Sequence, residues 1–237
     1  MTNTPAPRTP ETTRPARMDP LATLPVFFKL GGKRAVLAGA TEPALWKAEL
    51  LAAAGANVDV YASVFSDAFV QLAADPPAGR LTLHARPWTP RDLDGAAIAI
   101  GAITNDEDAA AFVVAAQAAG VPVNVIDRPE FCEFQFGSIV NRSPLVVAIS
   151  TDGAAPVFGQ AIRSRIEALL PQGFKRWAEM AKVWRREGAR LGSDMPARRR
   201  FWERFTERAM TDAGRMPTAD DLEHLIAEGA DAAKNTN

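Results

Sequence analysis

Cysteine is nearly absent from this sequence, with one residue, Cys132, in 237. A lone thiol closes no intramolecular disulfide and no cysteine-rich metal cluster, which fits a reducing cytoplasm; on its own it reads as a small, partly buried hydrophobe. Histidine is scarce too. His84 and His224 stand far apart with no ligand spacing around them, so nothing in the sequence signals a permanent zinc or iron centre. Net charge is almost missing: 27 Lys and Arg against 28 Asp and Glu leave −1, and no global field draws the chain to nucleic acid or to an anionic membrane. No apolar run approaches the ~20 residues that span a bilayer, and the N-terminus lacks the apolar core of a secretory signal. The expectation is a cytoplasmic protein with no nucleic-acid or membrane partner.

What is present is an ordinary globular composition, 47% hydrophobic and 23% charged, long enough for one large domain or two smaller ones. Residues 1–20 are rich in Pro, Thr and Arg and read as a disordered leader. The folded part is expected from LPVFFKL (residues 24–30) onward. From there strand and helix patterns alternate. Strands are expected at 34–38, 57–62, 81–85, 96–103 and 121–126, and helices at 46–54, 67–74 and 107–119. That alternation predicts an α/β fold, a Rossmann-like, doubly wound parallel sheet. After Asp127 the character changes to aromatic-rich and Val/Ile-rich runs, which suggest strands of a second, smaller unit. Helices are then expected at 156–170, 174–190 and 197–209, with Trp177, Trp184, Phe201, Trp202 and Phe205 as packing anchors. Arg185, Arg186, Arg190, Arg198, Arg199 and Arg200 crowd this part, either as a solvated helix face or as a clamp for an acidic substrate. Beyond Thr211 the chain turns acidic and polar and reads as a tail or linker.

The stretch with the most chemistry is KRAVLAGATEPALWKA (residues 33–48), where an apolar run breaks into a small-residue turn that opens a helix. Such a turn lets backbone N–H groups and the positive helix end approach a pyrophosphate. Gly39 and Ala44 supply the first and third small positions of G-x-G-x-x-G/A, but Thr41 holds the second, so the motif speaks more firmly for the fold than for the cofactor.

Taken together, the segments resemble the dehydrogenase and ferrochelatase module of sirohaem synthase, the family that oxidises precorrin-2 to sirohydrochlorin with NAD and then inserts ferrous iron. The resemblance rests on LPVFFKL, on GATEPALWKAELLAAAG, on NVID (residues 124–127) and on GSIVNRSPLVVAIST (residues 137–151), with GAAPVFGQAIRSRIEALLP and ARRRFWERF following in order. It implies an NAD-binding domain at 21–126, a central dimerisation region at 127–157, a helical tetrapyrrole-site domain at 158–212 and a polar tail at 213–237. It further implies a homodimer, a tetrapyrrole substrate, ferrous iron as a second substrate and, in many members, a fused methyltransferase domain beyond the C-terminus.

Residue by residue, the resemblance places cofactor contacts at Gly39, Thr41, Glu42, Pro43, Ser63, Val64 and Thr104. The acid that usually binds the ribose after the second strand is missing: Tyr61, Ala62 and Ser63 stand there, and Asp59 lies inside the strand as an exposed or strand-paired carboxylate. The family's catalytic aspartate falls on Asn105, whose amide accepts no proton. A one-residue shift brings Asp106 to that place, although Asp106, Glu107 and Asp108 read equally well as charges at a helix N-terminus. Ser138 matches a serine near the tetrapyrrole that can carry a phosphate in the family, and reads otherwise as a turn residue after Gly137. Asn141 and Arg142 are candidates for substrate carboxylates or plain turn residues. The departures at Thr41 and Asn105 keep a second expectation open, a tetrapyrrole-binding or chelatase-only dimeric module.

Overall fold

The computed structural model describes residues 19–187 and 195–234. The expected leader lies largely outside them, as does Arg190 of the basic cluster. Five strands, β1 (Arg34–Ala38), β2 (Asn57–Tyr61), β3 (Arg80–His84), β4 (Ile98–Gly101) and β5 (Val123–Val125), form one sheet in the order β3-β2-β1-β4-β5. Every pairing is parallel. Parallel sheets need helical crossovers and are covered on both faces, which is why these strands read as continuous apolar runs. On one face, Ala35, Leu37, Val58, Val60, Ile98 and Ile100 pack with Leu51 of α1 (Glu42–Ala53) and Phe69 of α2 (Asp67–Ala74). On the other, Val36, Ala38, Ala99, Val123 and Val125 pack with Phe112 of α3 (Asp106–Ala118). Helix α1 begins four residues ahead of the expected start, because Pro43 near its N-terminus is pre-set for the first turn.

The second unit is a two-stranded antiparallel hairpin, β6 (Ser138–Arg142) and β7 (Leu145–Ile149), under α4 (Pro156–Leu169). Only the Val/Ile-rich runs became strands. The aromatic-rich run before them is a short 3-10 turn, Pro129–Phe131, followed by irregular chain whose rings pack inward, with Phe134 and Phe136 edge to face at 5.4 Å. Helices α5 (Gly173–Glu187), α6 (Met195–Thr211) and α7 (Ala219–Lys234) close the chain around Trp177, Trp184, Phe201, Phe205 and Leu225. A fully buried aromatic such as Trp177 contributes about 1.5–3 kcal/mol by burial alone, and its indole N–H also donates to the Asp212 carbonyl at 3.2 Å.

Helix α7 corrects the expectation of a polar tail or linker. Thr218 and Asp221 form a reciprocal cap: the Asp221 carboxylate accepts from the Thr218 N–H at 2.8 Å and the Thr218 hydroxyl accepts from the Asp221 N–H at 3.3 Å. Leu222, Leu225 and Ile226 then fall on one face and join the aromatic cluster.

Candidate functional site

Gly39 ends β1 at φ +96°, and its N–H donates to the Tyr61 carbonyl at 2.8 Å. A Cβ here would lie 2.8 Å from the Ala102 carbonyl oxygen, so the bend and the chain after β4 touch only because position 39 has no side chain. Thr41 follows as the N-cap of α1, extended at φ −76° and ψ 167°, with its hydroxyl unused by the helix. Glu42 and Pro43 open the first turn. Ser63 and Val64 leave the end of β2 exposed to solvent, and Thr104 is exposed between β4 and α3. All seven positions expected to touch a cofactor thus lie along the carboxyl edge of the sheet, where the order turns from β1 to β2 on one side and β4 on the other. Asp59 is engaged elsewhere, 2.6 Å from the Arg34 Nε and 3.2 Å from the His84 Nε2.

At the start of α3 the two candidate catalytic positions part company. Asn105 is the N-cap. Its Oδ1 accepts from the Asp108 N–H at 2.8 Å, and its Nδ2 donates to the Asp108 carboxylate at 2.6 Å. Asp106 carries a carboxylate with 84% of its side chain exposed, ion-paired with Arg128 from the turn after β5. Arg128 also donates to the Thr104 carbonyl at 2.8 Å, so one guanidinium fastens the β5 turn to the Thr104 loop and to the first residue of α3. Sequence reasoning missed Arg128; its place directly after NVID was the available signal.

Beside this edge opens a cleft of about 630 Å³, walled by Pro43, Trp46 and Lys47 of α1, by residues 124–129, by Cys132, Gln135 and Phe136, and by the 152–154 turn before α4. Asp127 holds a left-handed backbone at φ +60°. Burial pulls the Lys47 ammonium down to about 8, against the attraction of Asp127 and Cys132. Burial likewise pushes the Cys132 thiol up. Lys47 was also missed from sequence.

The expected substrate residues are only partly gathered. Ser138 opens β6 against α4, its Oγ 3.8 Å from where a Cβ on Gly159 would stand. Asn141 folds back, its Oδ1 accepting from the Ser143 N–H at 2.9 Å and the Ser143 hydroxyl at 2.6 Å. Arg142 is committed to the fold rather than aimed at a ligand. It is 6% exposed and donates to the Leu170 carbonyl at 2.8 Å and the Glu167 carboxylate at 3.3 Å, closing the C-terminus of α4. Neither Asn141 nor Arg142 lines the cleft. In the basic cluster, Arg199 pairs with Glu203 at 2.9 Å on the solvent side of α6. No group of three His, Cys, Asp or Glu side chains suited to a metal occurs among the described residues.

Two family models match the chain in sequence order. Residues 26–138 match the family described as "Putative NAD(P)-binding", and residues 142–169 match "Sirohaem biosynthesis protein central". The chain belongs to the sirohaem synthase family. It is 37% identical over 210 residues to "Siroheme synthase" of Methylococcus capsulatus, covering 89% of this chain and 44% of that one. It is 42% identical over 201 residues to "Siroheme synthase 1" of Pectobacterium atrosepticum, covering 83% and 41%. The chain therefore spans less than half the length of the curated sirohaem synthases it matches. Among solved structures, "SirC, precorrin-2 dehydrogenase" superposes with a TM-score of 0.63 at 16% identity, over 88% of this chain and 100% of that one, which establishes the shared fold. No helix among the described residues is long and apolar enough to cross a membrane.

Proposed function

We propose that this sirohaem synthase family member oxidises precorrin-2 to sirohydrochlorin with NAD in a cytoplasmic setting, and that the same site serves insertion of ferrous iron, a substrate rather than a resident metal. The observation that carries the reading is Asp106, an exposed carboxylate at the first residue of α3, reached by the chain that passes Ala102 against the Gly39 bend. The bend fits a dinucleotide: its backbone is bare at Gly39, and the Thr41 hydroxyl and first-turn N–H groups are free to meet a phosphate. Glu42 and Pro43 shape that turn, while Ser63, Val64 and Thr104 offer backbone to the rest of the cofactor. NAD, when bound, accepts a hydride from the macrocycle. Asp106 takes the accompanying proton, as a positioned carboxylate within reach of the ring does. Asn105 holds the α3 N-terminus and takes no proton. Ser138 borders the ring, and Asn141 and Arg142 serve the hairpin that supports it.

The reading assigns 21–126 to the cofactor, 127–157 to dimerisation and 158–212, extended by α7, to enclosing the ring. A two-stranded hairpin is marginal on its own. Here it is flanked by exposed Val157 (84%), Phe158 (61%) and Leu169 (76%), which supports a second copy covering this face in a homodimer.

The test is conversion of precorrin-2 in the presence of NAD, followed by absorbance. Asp106→Asn is expected to abolish turnover while leaving NAD binding intact, and Asn105→Asp to leave the rate unchanged. The opposite pattern would move the proton acceptor to position 105. Tight ring binding without conversion by the unaltered chain would favour a non-catalytic binder, the reading to which the occupied amide of Asn105 otherwise points.

A further inference from the structure

Lys47 presents an unsatisfied charge to the cleft. Its Nζ lies 3.9 Å from the centre of the Phe136 ring and 4.5 Å from that of Trp46, and it makes no hydrogen bond or ion pair among the described residues. Aromatic faces attract an ammonium but satisfy none of its three N–H donors. A half-buried cation in this state is completed by an anion entering the cleft. Two sources of anion are available, a dinucleotide pyrophosphate and a ligand carboxylate. Lys47 is the sixth residue of α1, about 7.5 Å along the axis from the helix N-terminus, and it faces the β5 turn and the 152–154 turn rather than the Gly39 bend. That position favours the carboxylate.

We propose that Lys47 is a binding residue whose ammonium receives a carboxylate of the anionic ring taken up by this cleft, held ready by the Phe136 face and the Asp127 turn. The inference rests on the tetrapyrrole reading above and adds the group that orients the ring. The other charged or titratable groups facing the cleft are Asp127, Arg128, Cys132 and Asp152.

The full chain is titrated with sirohydrochlorin, followed by the absorbance of the ring, and separately with NAD. Lys47→Met, which keeps the apolar stem, is expected to weaken ring binding roughly tenfold to a hundredfold, the range for a charged hydrogen bond, with NAD affinity unchanged. Lys47→Arg is expected to retain ring binding within a few-fold. Affinity of the unaltered chain should fall as pH rises through about 8, where the ammonium discharges, and Lys47→Met should lose that dependence. A Lys47→Met chain with an unchanged melting temperature that binds the ring as tightly as its parent overturns the inference alone. So does a loss confined to NAD, which would give Lys47 to the pyrophosphate, and so does a pH dependence that persists in Lys47→Met, which would belong to the four neighbouring groups. Failure of the unaltered chain to bind the ring overturns the functional reading and the inference together.

Discussion

Gly39→Ala tests whether the bend and the loop after β4 are locked together. At φ +96° an alanine is strained by about 1–3 kcal/mol. Its Cβ would also meet the Ala102 carbonyl oxygen at 2.8 Å and the Ala102 Cβ at 3.0 Å. Ala102 is itself fixed, its N–H donating to the Ala38 carbonyl at 2.7 Å, so relief requires β1 and β4 to separate at their ends. Overpacking of that kind costs a further ~1–3 kcal/mol. The sum is about 2–6 kcal/mol against a domain stability of about 5–15 kcal/mol. Gly120→Ala supplies the control. It has φ +67° and nothing within 4 Å of its added Cβ, so it pays the backbone strain alone. Urea unfolding of both variants should show Gly39→Ala more destabilised than Gly120→Ala by about 1–3 kcal/mol, and NAD titration should show binding lost only in Gly39→Ala. Equal midpoints for the two variants would refute the argument, since they would mean that the loop after β4 yields without cost.

Arg142→Met should destabilise the chain by about 1.5–3 kcal/mol, the value of its charged hydrogen bonds, with NAD affinity unaltered; lost ring binding at unchanged stability would make Arg142 a ligand group after all. Asp221 is held well below the ordinary carboxylate range by the Arg215 guanidinium and, after it, by Thr218. Its folded-state pKa is depressed, so the stability it contributes is present above the unfolded value of about 3.9 and is lost as pH falls below it. Acid titration followed by tryptophan fluorescence should therefore show the helical unit loosening below about pH 4, and Asp221→Asn should flatten that limb while lowering stability at neutral pH.

Much of the fold was legible because parallel strands covered on both faces leave an unmistakable apolar signature, and the bounds of β1 and α2 follow from sequence without adjustment. Strand β5 proved shorter than its apolar run, which extends past the paired residues into loop. Helix α7 was hidden by its acidic first turn, although Thr218 and Asp221 stand at capping-box spacing ahead of Leu222 and Leu225. The aromatic run after Asp127 misled for the opposite reason, since ring-rich sequence has high strand propensity while its rings here pack onto the sheet from irregular chain. The candidate site divides along the same line. The conformation of the turn after β1 is set by local chain geometry and was legible in Gly39 and Pro43. The surroundings of Lys47 and Arg142 depend on Phe136 and on the end of α4, partners distant in sequence that no local pattern announces.

Arg128 gives the site a mechanical property. Its guanidinium is shared among Asp106, Glu130 and the Thr104 carbonyl, and it belongs to the segment that walls the cleft. Asp106→Asn would remove one ionic hold on Arg128 and leave Glu130 and the Thr104 carbonyl as its tethers. The charge at the start of α3 thus braces a wall of the cleft it does not itself line.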